Sequence, residues 1–170
     1  DDVLVQSLTF VATANAISYC GAIPHFIDVE EETLGIDSKK LDKYLSENTI
    51  RRSNECINKS TGRRVSCLIV MHTFGHPSNI EDLSTLANRY GIKLIEDSAE
   101  AIGSFYKGKH LGTFGEFGIL SFNGNKTITT GQGGAVLTSD KDCADRIRHL
   151  ASTAKIQHPW NFKHDAIGFN

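Results

Sequence analysis

Lys126 lies inside the stretch SFNGNKTITTGQGG, residues 121–134, with hydroxyl and amide side chains around it and glycines close behind. A lysine works as a nucleophilic or Schiff-base amine only when partial removal from water lets it shed its proton. Ser121, Asn123, Thr127, Thr129 and Thr130 can bind a phosphate without adding another positive charge. The GQGG tail permits close backbone approach to a ligand. The Walker A order is absent, which excludes a nucleotide P-loop. Taken alone, a lysine in such a loop is more often simply exposed to solvent.

Asp97 ends the strand-like stretch IKLIED upstream of that loop. A carboxylate at a strand end is either a cap for the next segment or an acid held under a cofactor nitrogen. Lysine and aspartate in this order suggest pyridoxal phosphate (PLP). There an aspartate keeps the pyridine nitrogen protonated, so that the ring can accept electrons.

Residues so far apart need a fold to bring them together. VLVQ, residues 3–6, reads as a strand, and TANAISYCG, residues 13–21, as a helix stopped by Gly21. HFIDV reads as a strand, and IDSKKLDKYLSEN as a helix with Asp37 as N-cap. Residues 48–64 are polar, basic and rich in turn formers, which predicts a long surface loop. No aromatics are interleaved there, so a solvated insertion is favoured over a nucleic-acid patch. VSCLIVM, residues 65–71, is apolar on both faces, as a central parallel strand would be. SNIEDLSTLANRYG predicts a helix capped by Ser78 and stopped by Gly91. IKLIED follows as a strand, and SFYKGKHLGTFG as a hairpin about Lys107-Gly108. FGILSF and GGAVLTS add two strands, and DKDCADRIRHLAS a helix with Asp140 as N-cap. This alternation predicts the α/β class, a mostly parallel mixed sheet flanked by helices. Ligands bind such sheets at the carboxyl ends of the strands. Asp97, Ser121 and the Thr9-Phe10 pair would converge there.

The chain has 170 residues, 39% hydrophobic and 22% charged, with a formal net charge of −2. That suffices for one domain with a real core and gives no general nucleic-acid or membrane surface. No apolar run approaches the roughly 20 residues of a membrane span, and no signal peptide is visible. The four cysteines, Cys20, Cys56, Cys67 and Cys143, form no CxxC pair. Buried reduced thiols in a cytoplasmic protein, with no metal site, are the expected state.

The motifs EDSAEAIGS, SFNGNKTITTGQGGAV and TFVATANAISYCGAIPHFIDV together resemble the DegT/DnrJ/EryC1/StrS family of PLP-dependent sugar-nucleotide aminotransferases, over almost the whole chain. The resemblance implies the fold type I (aspartate aminotransferase-like) large domain. Residues 1–170 would be part of it, without the upstream segment that carries a Gly-Thr phosphate turn and without the small C-terminal domain. SFNGNK and HLASTAKIQHPWNFKHDAIGFN look most like the branch that aminates C4 of a nucleotide-linked 4-keto-6-deoxy-N-acetylglucosamine, in bacillosamine- and legionaminic-type amino-sugar biosynthesis.

By the same resemblance, Lys126 carries the cofactor and shuttles the proton, and Asp97 pairs with the pyridinium. Ser121 holds a phosphate oxygen, and Phe10 stacks on the cofactor face, its plain alternative being a core phenylalanine. Asn123 touches the phosphate or a neighbouring subunit, and Asn170 reaches the partner's phosphate in a homodimer. Glu100 stands near the ring hydroxyl, where the family usually has glutamine or histidine. The substrates implied are a nucleotide-linked keto-sugar and glutamate. A dehydratase offshoot of the family has histidine at the lysine position, so Lys126 favours transamination. A truncated non-catalytic scaffold or a sugar dehydratase is the alternative. His72 and His76 either line the sugar site or pack as loop histidines near Pro77. Trp160 is a substrate-side aromatic or a subunit contact.

Overall fold

The computed structural model describes residues 1–169. The chain runs β1 (Asp2–Gln6), α1 (Val11–Tyr19), β2 (Ile23–Ile27), α2 (Ser38–Asn48), β3 (Thr49–Arg52), β4 (Glu55–Asn58) and β5 (Arg64–Met71). It continues through α3 (Ile80–Tyr90), β6 (Lys93–Asp97), β7 (Phe105–Tyr106), β8 (Lys109–His110), β9 (Phe117–Ser121), β10 (Gly134–Leu137) and α4 (Lys141–Ala151). The main sheet has the order β10-β9-β6-β5-β1-β2. The pairs from β9 to β2 are all parallel, and β10 returns antiparallel along β9. Parallel neighbours on both sides explain why β5 is continuously apolar from Cys67 to Met71.

Strand side chains alternate between faces, and the core divides accordingly. Leu4, Leu68, Val70 and Leu94 pack with Leu41 and Leu45 of α2 and with Leu83 and Leu86 of α3. Val3, Val5 and Cys67 pack with Ile17 of α1. Helices therefore cover both faces, and the carboxyl ends of β1, β5, β6 and β9 lie along one edge.

Asp37 caps α2 as expected, its Oδ1 accepting from the N–H groups of Lys39 and Lys40, both at 3.0 Å. Replacing Asp37 by alanine is expected to lower stability by about 1 kcal/mol, read by urea denaturation, because those helix N–H groups lose their acceptor. An unchanged midpoint would show that water replaces the cap without loss. Asp140 caps α4 through Cys143 N–H at 2.9 Å, and Gly91 ends α3 in the left-handed region at φ 68°.

Two expectations are corrected. Residues 48–64 are not a long loop: β3 and β4 form a hairpin that pairs with the start of β5. Ser53 and Asn54 turn it with φ of 47° and 70°, the double left-handed step that suits a two-residue hairpin turn. Cys56 faces the core while Arg51 and Arg52 stay in water, so the segment's polar composition masks a buried stripe. Nor does Ser78 cap α3. Asn79 holds the N-cap position, and Ser78 Oγ donates to the Met71 carbonyl at 2.8 Å.

Cys56 and Cys67 are buried as expected, but Cys20 is exposed and Cys143 half-buried. Burial, with Glu116 adding a smaller effect, pushes the Cys67 thiol up to about 12. In the folded protein a thiol reagent is expected to label Cys20 and to leave Cys67 untouched until denaturant is added. Mass mapping of labelled peptides checks this, and early labelling of Cys67 would contradict the burial.

The described chain divides into two compact units, Asp1–Leu137 and the residues from Thr138 onward. The second consists of α4 and the segment after it, joined by a His149–Asp165 contact at 2.7 Å. Among the described residues, no helix is long and apolar enough to cross a membrane.

Candidate active site

Asp97 is the last residue of β6, paired with Met71 of β5 and Ile119 of β9. Its carbonyl accepts from His72 N–H at 3.1 Å, and the next N–H, of Ser98, donates to Ile119 O at 2.9 Å. The side chain is held as well. Oδ2 accepts from Thr13 Oγ1 at 2.6 Å, and Oδ1 accepts from Ala99 N–H at 3.2 Å. The carboxylate thus caps the turn that follows, and it keeps lone pairs for a further donor.

Lys126 follows β9 in a loop folded on itself. Its N–H donates to Asn123 O at 3.0 Å, and Thr130 N–H donates to Phe122 O at 3.1 Å. Its Nζ lies 3.2 Å from Glu100 Oε1, and the lysine side chain is only 14% exposed. Lys126 is therefore not the solvent-exposed loop lysine of the plain alternative. Glu100 sits one turn beyond Asp97, and its direct partner is the lysine.

The 72–76 turn makes room for this arrangement. Gly75, at φ 80°, comes so close that a Cβ there would sit 2.7 Å from the Glu100 carbonyl oxygen. Phe74 beside it holds φ 53° and is 76% exposed. A left-handed phenylalanine costs about 1–3 kcal/mol, and such strain clusters at functional sites.

Phe10 occupies the N-cap position of α1 and is 70% exposed, which excludes the core-phenylalanine reading. Ser121 ends β9, half-buried, its Oγ accepting from Asn123 N–H at 3.3 Å. Asn123 is exposed and donates to Asn125 Oδ1 at 3.0 Å. Asn170 lies outside the described residues. Trp160 is exposed, within the second unit.

Of its two readings, His72 takes the packed one, as a core residue next to the Pro77 turn. It is fully buried, its Nδ1 accepts from Ser78 N–H at 3.2 Å, and its Nε2 donates to Glu96 Oε2 at 3.0 Å. Glu96 is fully buried too. It also accepts from Gly112 N–H at 2.8 Å, Phe114 N–H at 2.5 Å and Gly115 N–H at 2.7 Å. Burial alone would raise its carboxyl, but the His72 and backbone hydrogen bonds outweigh it and hold the group below its ordinary value. Glu96 thereby anchors the loop that leads into β9 and on to Lys126. His76 is exposed beside Pro77.

Sequence reasoning placed Thr9 at a strand end without a role for its hydroxyl, and missed Thr13, Phe74 and Glu96. An acid next to Asp97 was a signal for the last. Nothing in TFVAT distinguishes a hydroxyl that reaches a distant carboxylate from one that caps its own helix.

A sequence model of the DegT/DnrJ/EryC1/StrS aminotransferase family matches residues 1–170. The GDP-perosamine synthase of Escherichia coli O157:H7 is 39% identical over 170 residues, covering 100% of this chain and 42% of that protein. EpsN of Bacillus subtilis (strain 168), provisionally named a pyridoxal phosphate-dependent aminotransferase, is 40% identical over 170 residues, covering 100% of this chain and 41% of that protein. A crystal structure of a DegT DnrJ EryC1 StrS aminotransferase from Brucella abortus superposes with a TM-score of 0.85 at 28% identity, covering 99% of this chain and 43% of that one. The chain thus spans 41–42% of the length of those two curated relatives.

Proposed function

We propose a function from one premise: the chain belongs to the DegT/DnrJ/EryC1/StrS aminotransferase family. Residues 1–170 form part of the PLP-binding large domain of a sugar-nucleotide aminotransferase. The reaction is transamination from glutamate to C4 of a nucleotide-linked 4-keto-6-deoxy sugar, in amino-sugar biosynthesis. The enzyme works as a cytoplasmic homodimer. The observation that carries this reading is Lys126, withdrawn from water and held 3.2 Å from Glu100, at the sheet edge that Asp97 also occupies. The nucleotide-sugar name of the Escherichia coli relative supports the substrate class.

The residues present fit PLP. They offer a sheltered amine, an anchored carboxylate with acceptor capacity left, an exposed flat aromatic and a loop rich in hydroxyls and amides. When bound, the group supplies an aldehyde that condenses with amines and a ring that accepts electrons. Lys126 Nζ would hold that aldehyde carbon and later carry a proton to and from C4 of the sugar. Asp97 would keep the ring nitrogen protonated. Ser121 Oγ and the Asn123 amide would hold phosphate oxygens. The Phe10 ring would cover one face and exclude water from it. Glu100 would orient the Lys126 ammonium before loading and accept a hydrogen bond near the ring hydroxyl afterwards.

The test uses the full-length polypeptide that carries this sequence. PLP is added, borohydride reduces the product, and peptides are mapped by mass. A cofactor mass on Lys126 is expected, with 2-oxoglutarate released when glutamate and a nucleotide-linked 4-keto-6-deoxy sugar are supplied. A folded protein without the adduct would refute the reading and favour a non-catalytic scaffold. Sugar turnover without glutamate would point to a dehydratase.

A further inference from the structure

We propose that Thr13 is a positioning residue that joins the Asp97 carboxylate and the Phe10 ring into one rigid unit facing the cofactor ring. This rests on the PLP reading above. The observation is a junction of contacts at the entry to α1, between Thr9 and Thr13. Thr13 Oγ1 donates to Asp97 Oδ2 at 2.6 Å, and Thr13 N–H donates to Phe10 O at 3.1 Å. Its hydroxyl oxygen also lies 3.2 Å from Thr9 Oγ1, which in turn lies 3.4 Å from Met71 Sδ. Met71 is the residue that faces Asp97 across the β5–β6 ladder. The junction therefore ties the start of α1 to two neighbouring strand ends.

Helix formation accounts for the backbone bond to Phe10 but does not call for the side-chain contacts. A helix start normally draws a serine, threonine, aspartate or asparagine to satisfy its first N–H groups. Here the N-cap is Phe10, which has no side-chain cap hydrogen bond. Threonines flank it on both sides, yet neither caps the helix. The Thr13 hydroxyl, 9% exposed as a residue, is turned to a carboxylate 84 residues away. A hydroxyl-to-carboxylate hydrogen bond this short is of the strong, charge-assisted kind.

The consequence is geometric. With Thr13 on Oδ2 and Ala99 N–H on Oδ1, the Asp97 carboxylate cannot rotate without breaking a hydrogen bond. Its remaining lone pairs then point in fixed directions. The backbone bond to Phe10 fixes the start of the helix that bears the stacking ring. A bound flat ring would then meet a fixed acceptor in Asp97 beside the helix start that carries the Phe10 aromatic.

The experiment compares the full-length wild type with Thr13→Val, which keeps the shape and loses the hydroxyl, and Thr13→Ser, which keeps the hydroxyl. Readouts are the PLP dissociation constant by visible titration, the induced circular dichroism of the bound cofactor, and the melting temperature without cofactor. Thr13→Val is expected to weaken binding by about tenfold or more, the scale of a lost hydrogen bond to a charged group. Its induced dichroism is expected to shrink, and Thr13→Ser to restore both. Thr13→Ala reports the same loss if the valine variant fails to fold. Wild-type affinity and dichroism in Thr13→Val would overturn the proposal. So would a serine variant that melts like the wild type but binds as weakly as valine. A wild type that forms no Lys126 adduct would overturn the PLP reading and this inference with it. A wild-type adduct beside an unaltered valine variant would overturn this inference alone.

Discussion

In the full-length polypeptide, Lys126→Ala is expected to abolish borohydride-stable attachment of PLP and to lower transamination by about 10²–10⁴-fold, the range that a positioned proton-transfer group contributes. The reason lies in the lysine's surroundings. Lys126 is sheltered, its Nζ touches Glu100, and its loop is closed by the Thr130–Phe122 backbone bond. No other amine shares the Glu100 contact among the described residues. Lys126→Arg separates charge from chemistry. Arginine can keep an ion pair with Glu100 but never becomes a free base under working conditions. It is expected to match the alanine variant in activity while melting closer to the wild type. Substantial turnover by Lys126→Arg, measured as 2-oxoglutarate formed from glutamate, would show that the charge rather than the amine matters.

The largest expected effect on stability comes from Glu96. Glu96→Ala leaves the His72 Nε2–H and the N–H groups of Gly112, Phe114 and Gly115 buried without an acceptor. Breaking a buried charged network by removing one partner costs about 3–5 kcal/mol. Denaturant melts at neutral pH check this, and a loss below about 1 kcal/mol, the scale of one ordinary net hydrogen bond, would contradict it.

Acid dependence gives a second reading of the same group. Burial opposes the charged form, but the hydrogen bonds prevail and lower the folded carboxyl relative to the unfolded one. Its stabilisation is complete above the unfolded value of about 4.3. It is lost as pH falls through the lower folded value. Glu96→Gln cannot titrate, so its stability is expected to fall less steeply than the wild type's below pH ~4.3. Parallel slopes would show that other carboxylates govern acid unfolding.

The two predictions connect through the chain. Glu96 immediately precedes Asp97, and the 112–115 loop that it holds feeds β9, whose last residue is Ser121. A weakened Glu96 network is therefore expected to loosen the Lys126 loop as well as the core.

The amino-acid sequence by itself determined the features written in short-range patterns. Alternating and continuous apolar runs placed β1, β5, β6, β9 and β10. Aspartates ahead of amphipathic stretches marked the caps of α2 and α4, and Lys107-Gly108 marked a hairpin. These signals act within a few residues, so they survive in a linear reading. The same holds for the side-chain types of Lys126 and Asp97, whose chemistry is intrinsic. Tertiary structure decided everything that depends on which distant partner a polar group finds. Residues 49–58 became a hairpin because β5 offers an edge, although their composition reads as a loop. His72 entered the core because Glu96 of the neighbouring strand accepts a hydrogen bond from its Nε2–H. Ser78 left its capping position for the Met71 carbonyl. Glu100 met Lys126, and Thr13 met Asp97, across separations that no local pattern encodes. A buried polar group must be satisfied by whichever donor or acceptor the fold brings near, and that choice exists only once the chain has folded.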